Sequence, residues 1–140
     1  MILKSYELQK NSPKLLNYFF FLMYGENFGL KKDIRELIRA KVKQKCENVE
    51  SLSFYEDEIL GNVESFYNNI YSGSLFSATK IITIYEGTDK IINIINDKFD
   101  QFPEDVFLII FGGILDKKSK LRNFFEKEKK TICIPCYLDN

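Results

Sequence analysis

The stretch that decides the fold is Tyr18-Phe19-Phe20-Phe21-Leu22-Met23-Tyr24, an apolar run that stops at Gly25. A short run of consecutive apolar residues is typical of a strand buried on both faces of a parallel sheet. It is too short to span a bilayer, and residues 1–4 do not open a signal peptide. We therefore expect a cytoplasmic protein with no membrane contact, built around this strand.

Similar runs recur along the chain and alternate with segments of helical period. The predicted strands are residues 18–24, 49–54, 80–85, 106–111 and 131–134. The spacing of apolar residues between them predicts helices over residues 30–42, 59–70 and 91–99, a fourth helix capped by Asp116, and a short opening helix over residues 5–10. This order predicts one α/β domain over residues 1–140. It is doubly wound, with a five-stranded, mainly parallel sheet and helices on both faces.

Charge and composition exclude several classes of function. Lys plus Arg and Asp plus Glu both number 20, so the domain as a whole exerts no long-range attraction on nucleic acid. The chain contains no His, which removes the commonest general acid or base and a common metal ligand. We expect no catalytic residue, no metal and no cofactor.

The turn after the first strand has the outline of a phosphate loop but lacks its working parts. Such a loop has the form Gly-x4-Gly-Lys-Ser/Thr, whose backbone N–H groups surround the phosphates. Here Gly25 and Gly29 are one residue too close together, and Leu30 stands where the lysine is needed. Glu26 places a negative charge where phosphate would lie, and Asn27 is predicted to cap the following helix.

The other candidate sites have simpler explanations. Cys133 and Cys136 form a Cys-x-x-Cys pair, but the pair ends the last strand rather than opening a helix, which favours buried thiols over a redox site. Only Cys46 remains as a further thiol, too few for a zinc site. The acidic run at residues 56–58 is interpreted as a solvated cluster at a helix N-terminus.

The segment from Tyr71 to Thr79 is small and polar except for Leu75 and Phe76. If these two side chains face solvent, burying each of them against a partner could contribute roughly 1.5–3 kcal/mol to the binding free energy. The alternative is that they fold back onto the sheet as ordinary core. Residue types alone leave both interpretations open.

Several motifs, taken in order, extend over nearly the whole chain. They are Phe21-Leu22-Met23-Tyr24-Gly25-Glu26-Asn27, the turn Ser74-Leu75-Phe76-Ser77, the strand Lys80-Ile81-Ile82-Thr83-Ile84, the strand Phe107-Leu108-Ile109-Ile110, the segment Leu115-Asp116-Lys117-Lys118-Ser119-Lys120-Leu121, and the final strand with its exit over 131–137. In this order and spacing the sequence resembles the N-terminal domain of the delta subunit of the bacterial DNA polymerase III clamp loader.

The resemblance implies a fold of the AAA+ and RecA type that has lost nucleotide binding. It implies a non-enzymatic domain, within a DNA-directed DNA polymerase (nucleotidyltransferase) holoenzyme, that binds and opens the ring-shaped sliding clamp for loading onto primed DNA. The family's clamp-binding apolar pair corresponds to Leu75 and Phe76, with Ser72, Gly73 and Ser74 shaping the approach.

The resemblance also implies partners beyond the clamp. Family members are longer, and we expect a helical second domain and a collar domain to follow in them. The collar would carry most contacts to the delta-prime and gamma/tau subunits. The basic residues Lys117, Lys118 and Lys120 could approach DNA or a partner, but a solvated helix face is the favoured interpretation.

Two alternatives stay open on sequence alone. One is an α/β domain that binds a nucleotide or small ligand at the edge of the sheet. The other is an interaction module with a different protein partner.

Overall fold

The computed structural model describes residues 1–8, 15–72 and 79–138. Strands and helices alternate along these residues. In chain order they are β1 (Phe20–Tyr24), α1 (Phe28–Lys45), β2 (Val49–Tyr55), α2 (Glu56–Gly61), α3 (Val63–Tyr71), β3 (Thr79–Gly87), α4 (Ile92–Lys98), β4 (Val106–Gly112), α5 (Lys120–Lys127) and β5 (Thr131–Pro135). Single 3₁₀ turns lie at Ser5–Glu7, Asp89–Ile91 and Phe99–Gln101.

The five strands form one sheet in the order β2-β3-β4-β1-β5, and every pairing between neighbouring strands is parallel. The predicted α/β fold is therefore confirmed, and the order is that of the RecA-like and AAA+-like topology. Parallel neighbours need crossover connections, and the helices supply them. The carboxyl ends of all five strands consequently meet at one edge of the sheet.

The core has two layers, one on each face of the sheet. Strand β1 is buried throughout, with Phe20 and Leu22 on one face and Phe21 and Met23 on the other. Helices α2 to α5 cover the first face. Helix α1 covers the second, together with apolar residues from the amino-terminal segment. Helices on both faces explain why the central strands read as continuous apolar runs.

Several predicted boundaries were wrong or incomplete. The predicted helix over residues 59–70 is two helices, because the Asn62 side chain accepts a hydrogen bond from Ser65 N at 3.1 Å and starts α3 anew. Both short helices pack on the same face, so their apolar spacing continues across the break. The first strand begins at Phe20 rather than Tyr18, whose N–H closes a turn onto Leu15.

The predicted cap of the fourth helix was also wrong. Ser119, not Asp116, caps α5, and its hydroxyl accepts a hydrogen bond from Arg122 N at 3.2 Å. The Asp116 carboxylate instead accepts from Lys118 N in an exposed turn. The predicted opening helix is a 3₁₀ turn at Ser5–Glu7, and its remainder from residue 9 lies outside the described residues.

In the described part of the chain, no helix combines the length and the apolar character that crossing a membrane requires.

Candidate functional site

In the turn between β1 and α1, the backbone N–H groups of Gly25 and Asn27 are bonded within the protein. Gly25 N donates to the Gly113 carbonyl at 2.8 Å, and Asn27 N donates to the Cys136 carbonyl at 3.0 Å. In a working phosphate loop such groups would point at the anion. Here the exits of β4 and β5 accept their hydrogen bonds instead.

Side chains close the same turn. The Asn27 side chain accepts from Leu30 N at 3.0 Å, which confirms the predicted helix cap. The Glu26 carboxylate accepts from Leu138 N at 2.9 Å, and this hydrogen bond lowers its pKa below the usual range. Glu26 therefore stays charged at neutral pH, at a position where a bound phosphate would be repelled.

Lys31, the lysine nearest the turn, points inward rather than toward the loop. Its side chain is buried, and its Nζ donates to the Gly112 carbonyl at 2.6 Å. Burial lowers the pKa of this ammonium group. The charge that could have neutralised a phosphate is thus used to hold α1 against the end of β4.

Of the five residues predicted to contact the clamp, the structure describes only Ser72. Ser72 is exposed and follows α3, and its N–H donates to the Asn68 carbonyl at 2.9 Å. Gly73, Ser74, Leu75 and Phe76 lie outside the described residues. Their role therefore stays a prediction.

The described residues on either side of 73–78 are hydrogen-bonded. The buried Lys80 donates from Nζ to the carbonyls of Asn69 and Ser72, each at 2.6 Å, and so caps the end of α3. On the other side, Thr79 N donates to the Asn48 carbonyl at 2.9 Å. Sequence reasoning missed Lys80, because a lysine inside a strand gives no sign that its ammonium group is buried.

The acidic run at residues 56–58 was only partly interpreted correctly. Glu58 accepts from Tyr55 N at 3.0 Å, as a residue in the first turn of a helix should. Glu56, however, is buried rather than solvated, and its two oxygens accept from Thr88 N and Thr88 Oγ1 at 2.8 and 2.7 Å. It joins α2 to the residues after β3, a contact that only the fold brings about.

The cysteine pair is buried. Cys133 and Cys136 are fully buried free thiols, whereas Cys46 is partly exposed. Burial raises the pKa of Cys133 to about 12 and that of Cys136 to about 11, so neither forms much thiolate at neutral pH. Among the residues that the structure describes, no three His, Cys, Asp or Glu side chains are grouped closely enough to hold a metal ion.

The predicted basic residues are brought together near the start of α5. Lys117, Lys118 and Lys120 are all exposed there. The same carboxyl edge also carries a cluster that the sequence did not reveal, in which Phe28, Tyr55 and Arg35 surround a cleft.

Comparison with known proteins supports the fold. A solved structure, the DNA clamp loader delta protein (YqeN) of Bacillus subtilis, matches with a TM-score of 0.68 and 13% sequence identity. The match covers 97% of this chain and 43% of that protein, so the chain spans less than half of its structural neighbour. At this identity the likeness concerns the fold alone. No family model matches the sequence, and no curated protein matches it.

Proposed function

We propose that this chain is a clamp-binding domain of a DNA clamp loader, of the delta type. The observation that carries the proposal is the fold match to a clamp loader delta protein over 97% of the chain. The Ser74-Leu75-Phe76-Ser77 pattern supports it, since that pattern falls between α3 and β3, where the resemblance expects the clamp-binding turn.

In the proposed mechanism, Leu75 and Phe76 insert into an apolar pocket on the sliding clamp. An apolar pair contributes more to such a contact when the residues beside it are already ordered, because less conformational entropy is lost on binding. The Lys80 cap on α3 and the hydrogen bond from Thr79 N supply two fixed supports. This chain would open the ring by binding the open clamp more tightly than the closed one, without hydrolysing nucleotide itself.

The closed turn at Gly25 supports the non-hydrolytic part of the proposal. The N–H groups of Gly25 and Asn27, the Glu26 carboxylate and the Lys31 ammonium group all bond within the protein. We propose that ATP acts in other loader subunits, and that contacts to delta-prime and gamma/tau subunits and to primed DNA belong to the assembled complex.

The test is capture of this chain by the sliding clamp of the same organism. We expect Leu75→Ser/Phe76→Asp to weaken capture by about 100-fold or more, because two buried apolar side chains are lost at once. The matched control is Tyr6→Ser/Ile114→Asp, which changes an aromatic and an aliphatic residue that are 71% and 77% exposed.

Both double variants must show native circular dichroism and an unchanged melting temperature. Equal capture of the two folded variants would contradict the proposed contact. Ring opening is measured separately, with a clamp that carries a fluorophore pair across one subunit interface. The fluorescence signal changes when that interface opens. An unchanged signal at saturating concentrations of this chain would restrict the proposal to binding.

A further inference from the structure

A row of four aromatic rings crosses the carboxyl edge of the sheet. The ring centroids of Phe28 and Phe111 are 5.9 Å apart, those of Phe111 and Tyr85 are 5.4 Å apart, and those of Tyr85 and Tyr55 are 5.4 Å apart. The rings come from the first turn of α1 and from the ends of β4, β3 and β2. They line a cleft of about 540 Å³, here called the aromatic cleft.

Two cations lie over these rings. The Arg35 guanidinium carbon is 5.3 Å from the Phe111 centroid and 5.8 Å from the Tyr85 centroid, and Arg35 also donates to the Tyr85 hydroxyl. Lys32 Nζ is 5.8 Å from the Phe28 centroid. Arg35 is held in place by packing, since its side chain is only 11% exposed. Lys32 is exposed.

The charge balance of the cleft is positive. Its lining includes Lys31, Lys32 and Arg35 but only one carboxylate, that of Glu86. Glu36 lies beside the cleft and pairs with Arg35 Nε at 3.5 Å, which offsets part of the guanidinium charge. Lys31 is buried and bonded to the Gly112 carbonyl, so Lys32 is the cation of this lining that is open to solvent.

The two outer rings are not packed away. Phe28 is 52% exposed and Tyr55 is 51% exposed, whereas Phe111, between Phe28 and Tyr85, is 2% exposed. The cleft thus has a buried aromatic floor, half-exposed rings at both ends and cations beside them. Aromatic faces next to positive charge are the elements with which proteins hold unpaired bases and their phosphates.

We propose that the aromatic cleft binds an unpaired nucleobase together with its phosphate, either on a single strand or as a free nucleotide. The base would stack on Tyr55 or Phe28, and the phosphate would lie near Lys32. A cleft of this volume is large enough for one nucleotide. Such a site does not use the N–H groups of Gly25 and Asn27, which are bonded to the Gly113 and Cys136 carbonyls, so it differs from a phosphate-loop site.

The test uses the full chain and a fluorescein-labelled oligothymidylate of about ten nucleotides, with binding followed by anisotropy at low salt. An abasic strand of the same length and charge serves as the first comparison. We expect saturable binding of the oligothymidylate and binding at least about 10-fold weaker for the abasic strand, because stacking needs the base. Equal binding of the two strands, or no saturable binding, would overturn the proposal.

Single substitutions test where on the protein the strand binds. Tyr55→Ala should weaken binding about 10-fold, whereas Tyr55→Phe, which keeps the ring, should bind like the parent chain. Lys32→Ala should reduce the slope of the logarithm of the binding constant against the logarithm of the salt concentration by about 1, the loss of one phosphate contact. The matched controls, Tyr6→Ala and Lys117→Ala, should stay within about 2-fold of the parent. If Lys117→Ala weakened binding and Tyr55→Ala did not, the strand would bind at the basic residues before α5 and the proposal would fail.

Competition separates the two possible ligands. Displacement of the strand by thymidine monophosphate would support a free nucleotide, and displacement only by unlabelled strand would support single-stranded nucleic acid. This proposal is independent of the proposed clamp contact. Tyr55→Ala should leave clamp capture unchanged, so either proposal can fail without the other.

Discussion

Gly25 shows how one residue shapes the turn after β1. Its φ of 113° lies in the region that side chains rarely adopt, and a Cβ there would lie 2.2 Å from the Cys136 carbonyl oxygen. Because the backbone after β5 lies so close to Gly25, Asn27 N can donate to the same Cys136 carbonyl. A glycine that would serve to approach a phosphate in a working loop here serves to approach the protein's own backbone.

Gly25→Ala should therefore destabilise the protein by about 2 kcal/mol or more, because it combines backbone strain with a clash against backbone atoms. Gly29→Ala is the matched control. The nearest atom to its added Cβ is 3.7 Å away, and an alanine in the first turn of α1 should be neutral or stabilise by about 0.5–1 kcal/mol. Urea unfolding measures both variants, and equal midpoints would contradict the account of Gly25.

At the scale of a single element, α5 depends on one hydroxyl group with two roles. Ser119 Oγ accepts from Arg122 N and donates to the Asp89 carboxylate at 2.6 Å. The same carboxylate accepts from Leu121 N at 3.0 Å. Asp89 therefore caps α5 from outside the helix, together with Ser119. Helix α5 is thereby tied to the residues that follow β3.

Ser119→Ala should cost about 1–2 kcal/mol, the usual loss for an N-cap, whereas Asp116→Ala should cost less than about 0.5 kcal/mol. The loss of stability in Ser119→Ala should be smaller at low pH, because Ser119 donates to the Asp89 carboxylate. The hydrogen bond from Ser119 lowers the pKa of Asp89 below its ordinary value of 3.8, so the stability it contributes is present above that value and is lost as pH falls. Thermal melts at pH 7 and pH 3 test this, and a larger effect from Asp116→Ala would restore Asp116 as the cap.

At the scale of the whole molecule, two apolar layers enclose the sheet. The accessibility of the cysteine thiols shows whether these layers are closed. Cys133 belongs to the layer under α2 to α5, and Cys136 belongs to the layer under α1. Both are fully buried, whereas Cys46 lies at the end of α1 and is partly exposed. Access to the two buried thiols therefore requires opening of the core.

Iodoacetamide at neutral pH should modify Cys46 alone in the native protein and all three thiols in denaturant. The reason is that burial blocks access to Cys133 and Cys136 and raises their pKa values, which suppresses the reactive thiolate. Peptide mass spectrometry identifies the modified residues. Rapid native modification of Cys133 or Cys136 would favour the redox interpretation of the Cys-x-x-Cys pair.

Local patterns were sufficient for much of the fold. The apolar runs predicted all five strands, and the degenerate glycine spacing identified the turn at Gly25 as unusual. Patterns failed where one helix ends and another begins on the same face, as at Asn62, because apolar periodicity does not register the break. Local patterns also failed at Asp116. Asp and Ser are both common N-cap residues, so the sequence does not decide between Asp116 and Ser119, three residues later.

The sequence by itself determined the alternation of strands and helices, the burial of β1 on both faces and the parallel sheet, because each follows from residues close together in the chain. The tertiary structure alone decided what surrounds the carboxyl edge. Lys31 reaches Gly112 across 81 residues, and Arg35 reaches Tyr85 across 50. The first contact holds α1 against the end of β4, and the second lies in the aromatic cleft. No local pattern encodes them, because they depend on which strands the crossovers bring together.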